Sequence, residues 1–335
     1  MKDHTTILAI LSIILSLTIA LFAYFLIIHY FIDVDLQKSQ RENTILNFYE
    51  HPHDRDIFIV GNSMVNEGFD ANLIEDSLQE RHINQSVYIL GINAETPLSM
   101  VPMLDKVTAS RPDLVVIGLS YGDLANDTNI YDDRFALISQ KISVNDEYRF
   151  LFNDEQLKLL SQTSLEYDFY KRKFIISSIY RFIRELFFKS EISPRKNLFI
   201  SNFKDPWVVT INLTETEKIE KLKNAKKFDL VFEDLNSQKK ALLYTINKLQ
   251  RNNISVLIVN MPLDLNYSKF INESTRHHYF NFLNETGVPW LDYEHEYPSD
   301  FFSDHVHMNV AGRTDFSQKI AAILVNNLTR CTNAV

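Results

Sequence analysis

The chain has 335 residues, 45% of them hydrophobic, with a formal net charge of −9 and a pI near 5.6. That length and apolar content suffice for a large buried core in one large or two modest domains, and they exclude a compositionally disordered chain. The acidic balance, without any long basic run, argues against a nucleic-acid partner because nothing would neutralise phosphates. The single cysteine, Cys331, allows no intrachain disulfide.

Residues 7–28, "ILAILSIILSLTIALFAYFLII", carry no charge. Such a run is long enough to cross about 30 Å of hydrocarbon as a helix. It exceeds a typical signal-peptide core and no A-x-A site closes it, so a retained N-terminal transmembrane helix is expected over residues 1–32. Lys2 precedes the run, while Lys38 and Arg41 follow it among Asp33, Asp35 and Glu42, so flanking charge does not set the orientation. Eight N-x-S/T sequons, from Asn84 to Asn327, stand against about three or four expected by chance. They favour a single-pass membrane protein whose body lies outside the cytoplasm, glycosylated where the host performs that chemistry.

Residues 33–55 are polar and irregular, including "EHPHDRD", and read as a stalk in which His51 and His53 are exposed linker histidines. Beyond it come short apolar runs rich in β-branched residues: "DIFIVGNS" (56–63), "SVYILGIN" (86–93), "DLVVIGLS" (113–120) and "ISVLIVNMP" (254–262). Continuous runs of this kind suit strands buried on both faces of a parallel sheet. Helical patterns separate them, "DANLIEDSLQER" (70–81) and "SQKKALLYTINKLQRN" (237–252) among them; "VPWLDY" (288–293) is expected as the last strand and 312–328 as the final helix. The alternation predicts a doubly wound α/β domain over 56–335.

Residues 125–235 break the rhythm and are too long for an ordinary strand-to-helix connection, which predicts a large helical insertion or cap. Within it, 174–189 places Ile175, Ile176, Ile179, Phe182, Ile183, Leu186 and Phe187 on one helical face. Packing on the domain itself is the simpler expectation for that face; a bilayer surface or a partner helix is the other.

In an open α/β sheet the active crevice lies beyond the C-terminal ends of the strands, so residues directly after each apolar run carry the chemistry. The first run delivers Ser63 to a strand-to-helix turn, where its hydroxyl is exposed as a candidate nucleophile. A serine needs a neutral imidazole to take its proton and a carboxylate to hold that imidazole's tautomer. "DHVH" (304–307), after the last strand, supplies both in Asp304 and His307. A polar turn and a metal site are the competing readings of "DHVH". The metal reading needs further ligands, and the other dense histidine pair of the body, His277 and His278, has no sequence link to it, so no metal and no cofactor are expected.

Taken together, "GNSM", "YILGINAETP", "PDLVVIGLSYGDL" and "DHVHMNVAG" resemble blocks of the SGNH, or GDSL-type, hydrolases. The likeness covers about 56–123 and 254–328. It implies a three-layer, flavodoxin-like αβα fold with Ser63, His307 and Asp304 as the catalytic triad, and Gly91 and Ser63 offering backbone N–H groups to an oxyanion. Two positions depart from the pattern: Asn62 replaces the acidic residue beside the serine, and Gly122 stands where the family carries its oxyanion-binding asparagine, with Ser120 in place of the preceding glycine. Either catalysis is then weaker, or a neighbour such as Asn93 or Ser120 substitutes as donor, or an added partner completes the site; Tyr121 and Asp123 read as structural. Membrane-anchored members of the family include proteins that move acyl groups onto or off cell-surface polysaccharides. The resemblance therefore implies an extracytoplasmic acyl esterase or O-acyltransferase acting on a glycan ester, with a membrane-bound acyltransferase as a possible partner, or a silent SGNH-like body that binds glycan or organises a complex.

Overall fold

A computed structural model describes residues 12, 15–19, 41–50, 56–92, 95–125, 146–154, 157, 203–204, 213–224 and 236–332. Its centre is a five-stranded sheet of β1 (Ile57–Gly61), β2 (Val87–Ile89), β3 (Leu114–Leu119), β4 (Ser255–Asn260) and β5 (Trp290–Asp292), in the order β2-β1-β3-β4-β5. Every pairing is parallel. That order reverses direction between β1 and β3, the place where doubly wound sheets open a crevice beyond their strand ends. β1 and β3 are buried along their whole length and β4 in all but its first residue, which accounts for their unbroken apolar runs.

Parallel strands need crossover connections, and the helices that make them form two packed groups. Helix α3 (Ala71–Gln79) lies against the last helix, α11 (Val310–Thr332), on one side. On the other side α8 (Ser237–Arg251) packs on α4 (Pro97–Met100) and α5 (Leu104–Ser110). The expected α/β layering is therefore present.

Helix α1 (Arg41–Phe48) falls inside the segment expected to be an irregular stalk. It buries Ile45 and Leu46, followed by Tyr49, in the main core, and Phe48 meets Phe58, Tyr88 and Phe203 ring to ring. Each buried aliphatic of this size contributes about 1.5–3 kcal/mol, so the folded body begins before Asp56. Only a short apolar patch in a polar stretch signals the helix, too little for a periodicity reading.

The expected membrane span falls largely outside the described residues. Within it Ser12 and residues 15–19 are helical, and among the described residues no helix is long and apolar enough to cross a membrane. Most of the insertion expected over 125–235, including 174–189, also lies outside them. The described part includes α7 (Glu215–Asn224) and a small cluster in which Tyr148, Leu151 and Phe152 pack with Leu98, Val101 and Ala241.

Two glycines facing each other across β1 and β3 set the height of what lies above them. Gly61 and Gly118 are register partners, and a Cβ on Gly118 would stand 2.3 Å from the Val65 side chain. Val65 belongs to α2 (Ser63–Gly68), which begins two residues after β1 and can settle onto the sheet only because Gly118 offers no side chain. Gly118→Ala is therefore expected to lower the unfolding free energy by about 1–3 kcal/mol, read from urea titration, because an overpacked contact must push α2 outward.

Candidate active site

Helix α2 starts at Ser63, directly after the turn that ends β1. Asn62 caps it, its Oδ1 accepting the Met64 N–H at 2.8 Å. The same side chain reaches the end of β3: Asn62 Nδ2 donates to Asp123 Oδ1 and Oδ2 at 2.8 and 3.0 Å. The Asp123 carboxylate also accepts the N–H and the hydroxyl of Ser120, at 2.7 and 2.9 Å. Burial raises its pKa to about 6, against the hydrogen bonds from Ser120 and Asn62 that favour its ionised form. An acid at position 62 would set two carboxylates against each other here, so the asparagine is the residue that suits an Asp123 partner.

The acid and base come from the turn before α11. An antiparallel bridge between Phe302 and Met308 closes the turn, and Ser303 N–H donates to His307 O at 2.8 Å. Asp304 Oδ1 accepts the N–H groups of Val306 and His307, each at 2.9 Å, which aims its other oxygen at the imidazole. Asp304 Oδ2 lies 2.9 Å from His307 Nδ1, and His307 Nε2 lies 2.8 Å from Ser63 Oγ. An ionised carboxylate only accepts, so Nδ1 carries the proton and Nε2 is left to receive the serine's. The structure thus brings together Ser63 and His307, 244 positions apart, with Asp304 behind them.

Burial alone would raise the Asp304 pKa, but the His307 hydrogen bond and charge and the two N–H bonds hold it well below the usual carboxylate range. Burial disfavours the imidazolium of His307, yet the Asp304 bond and the charges of Glu67 and Asp304 outweigh it and raise its pKa above that of an ordinary histidine. Glu67, unremarked in the sequence reading, sits one turn after Ser63 on α2 with its Oε2 4.0 Å from His307 Nδ1. Its signal was the i, i+4 spacing to the serine, which has meaning only once 63–68 is known to be helical.

The oxyanion side is less complete. Ser63 N–H stands at the start of α2, among donors that have no partner within the helix. Gly91, two residues beyond β2, sits so close that a Cβ would lie 2.9 Å from Asn62 O, which brings its backbone to the turn before Ser63. Asn93 lies outside the described residues. The expectation for Ser120 changes: its one hydroxyl hydrogen goes to Asp123, so it serves that carboxylate and is not a spare donor. A Cβ added at Gly122 would meet no atom of the described residues within 4 Å, so among them the place of the missing asparagine is open.

Helix α7 and the residues just before it hold the turn from behind. Lys218, 3% exposed, donates to Ser299 O and Phe302 O at 2.6 and 3.0 Å and lies 3.5 Å from Asp264 Oδ2; Leu213 N–H donates to Ser303 O. Beyond β3 and β5, Glu294 is buried among Arg276 at 2.9 Å, Ser268 at 2.7 Å and the Tyr121 hydroxyl, which agrees with a structural part for Tyr121. A cavity of about 520 Å³ between α7 and residues 299–309 is lined by Leu213, Lys218, Phe302 and Asn309, and no triad residue borders it.

For the metal reading, among the described residues no group of three or more His, Cys, Asp or Glu side chains is placed to hold an ion. His277 and His278 contact Asn281 and Ser274 on their own helix, α10 (Glu273–Glu285), away from the turn.

No protein-family model and no curated protein matches the chain. Similar solved structures include a lipase/acylhydrolase from Enterococcus faecalis, at 12% identity and a TM-score of 0.40 over 82% of this chain and 95% of that one. The acetyl xylan esterase AlAXEase gives 12% and 0.40 over 80% and 98%. An Axe2 mutant, an acetyl-xylooligosaccharide esterase from a Geobacillus, gives 11% and 0.39 over 82% and 94%. Likeness at this level carries no argument about chemistry. The class is defined by strand order and side-chain geometry: a doubly wound α/β protein with a Ser–His–Asp line at its switch point.

Asn62→Ala removes the cap of α2 and the amide that donates to both oxygens of a buried carboxylate. It is expected to cost about 2 kcal/mol of stability in urea titration at pH 7.

Proposed function

We propose that this chain is a serine esterase or O-acyltransferase of the SGNH type, anchored by residues 7–28 and acting outside the cytoplasm on a surface glycan ester. The observation that carries the chemistry is the unbroken line Asp304–His307–Ser63, each link within 3 Å. In this reading Ser63 Oγ attacks the ester carbonyl carbon while His307 Nε2 takes its proton, and Asp304 steadies the imidazolium. The N–H groups of Ser63 and Gly91 hold the developing oxyanion. His307 then gives its proton to the departing alcohol, leaving an acyl-serine. Water as second nucleophile gives hydrolysis, and a sugar hydroxyl gives transfer. Support for the anchor comes from the uncharged run itself, whose described residues Leu15, Leu17 and Ile19 are helical and exposed. The glycan substrate and a membrane-bound acyltransferase partner follow from the family resemblance alone.

A second reading, a catalytically silent body that binds glycan or organises a complex, is favoured by the open space at Gly122, where one oxyanion donor is lacking. A fluorophosphonate probe on the full chain in membranes separates the two. Stoichiometric labelling that disappears in Ser63→Ala and falls at least 100-fold in His307→Ala is expected, with labelling declining as pH drops through the raised pKa of His307, because an imidazolium accepts no proton. A folded chain that takes no label across that pH range overturns the esterase reading.

Gly122→Asn offers a donor where there is room for one. Because removing such a donor typically costs about 10² to 10³ in rate, a gain of roughly tenfold or more is expected in turnover of an activated acetyl ester.

A further inference from the structure

Resting on the esterase reading, the geometry points to Glu67 as a positioning residue: a second carboxylate that, with Asp304, brackets His307 Nδ1 and stabilises the imidazolium formed when Ser63 is deprotonated. The placement is built into α2. Ser63 and Glu67 are four residues apart on this helix and so share a face. His307 lies along that face, with Nε2 2.8 Å from Ser63 Oγ and Nδ1 4.0 Å from Glu67 Oε2. Asp304 approaches the same Nδ1 from the turn at 2.9 Å. Both carboxylates are sheltered, with Glu67 at 12% and Asp304 at 26% side-chain exposure, so solvent screens neither strongly. One helix therefore carries both the nucleophile and a charge that supports its base, and any movement of α2 shifts the two together.

Other charges lie near this group. His305, on the turn itself, packs its ring on Tyr267; burial, with His307 and Lys221, lowers its pKa against the opposing pull of Asp304 and Asp264. Arg313 of α11, 5% exposed, feels both Asp70 and Glu67. An ion pair of Glu67 with Arg313 alone would make Glu67 a structural residue, and stability measurements would not tell the two roles apart. The pH profile does, because only a charge acting on the imidazole moves its titration.

The test is the rate of fluorophosphonate labelling of the full chain against pH for wild type, Glu67→Gln and Glu67→Asp. Removing the charge in Glu67→Gln is expected to move the midpoint of the acid limb down by about one pH unit. Glu67→Asp keeps a charge near Arg313 but withdraws it from the imidazole, and should move the midpoint the same way by less. Midpoints that coincide with wild type in the variants that fold overturn the proposal. If wild type takes no label, the esterase reading fails, and the proton NMR titration of His307 in the same proteins reads the expected downward shift without catalysis. An unshifted His307 resonance would then overturn the role of Glu67 separately.

Discussion

How closely α2 can approach the strand ends governs the whole site. A helix that begins two residues after β1 would ordinarily be held off the sheet by side chains on the neighbouring strands. Here Gly118 below Val65 and Gly91 beside Asn62 and Asn66 remove those side chains where α2 comes down. The helix can then carry Ser63 into the crevice between β1 and β3, the one stretch of this sheet where the strand order turns back on itself. The residue that opens α2, Ser63, and the residues that pack beneath the helix, Met64 and Val65, thus follow one another directly in the chain.

The base arrives by a different kind of constraint. Asp304 spends one oxygen on two backbone N–H groups and the other on the imidazole, so the turn and the acid–base pair are a single hydrogen-bonded object. Its far side is held by Lys218, a buried cation that would be unfavourable without the carbonyls of Ser299 and Phe302 and the nearby Asp264 carboxylate. Because Lys218 belongs to α7, that helix is fastened to the turn that orients His307. The position of α7 is thereby tied mechanically to the Asp304–His307 pair.

Much of this was legible in the sequence because the relevant signals are local. β1, β3 and β4 are buried almost throughout and so read as unbroken apolar runs, and position directly after a strand pointed to Ser63. Asp304 and His307 are three apart and need only a turn to meet. What stayed hidden depends on contact between distant segments. The bridge from Asn62 to Asp123 spans 61 positions, so Asn62 looked like a lost acid when it is the partner of a buried one. Glu67 acquires meaning only when His307 is laid across α2, and α1 is a helix because Phe58 and Phe203 are there to receive it.

The distance in chain between Ser63 and His307 also has a consequence for biosynthesis. A nascent chain displays Ser63 early, but the imidazole that would activate it follows 244 residues later, and its turn is held by α7 and closed onto α11. Until those parts have emerged and docked, the hydroxyl is chemically that of any surface serine. On the esterase reading proposed above, the reactivity of Ser63 is therefore withheld from every partially translated or half-folded form, and the finished tertiary structure acts as the switch that arms the residue.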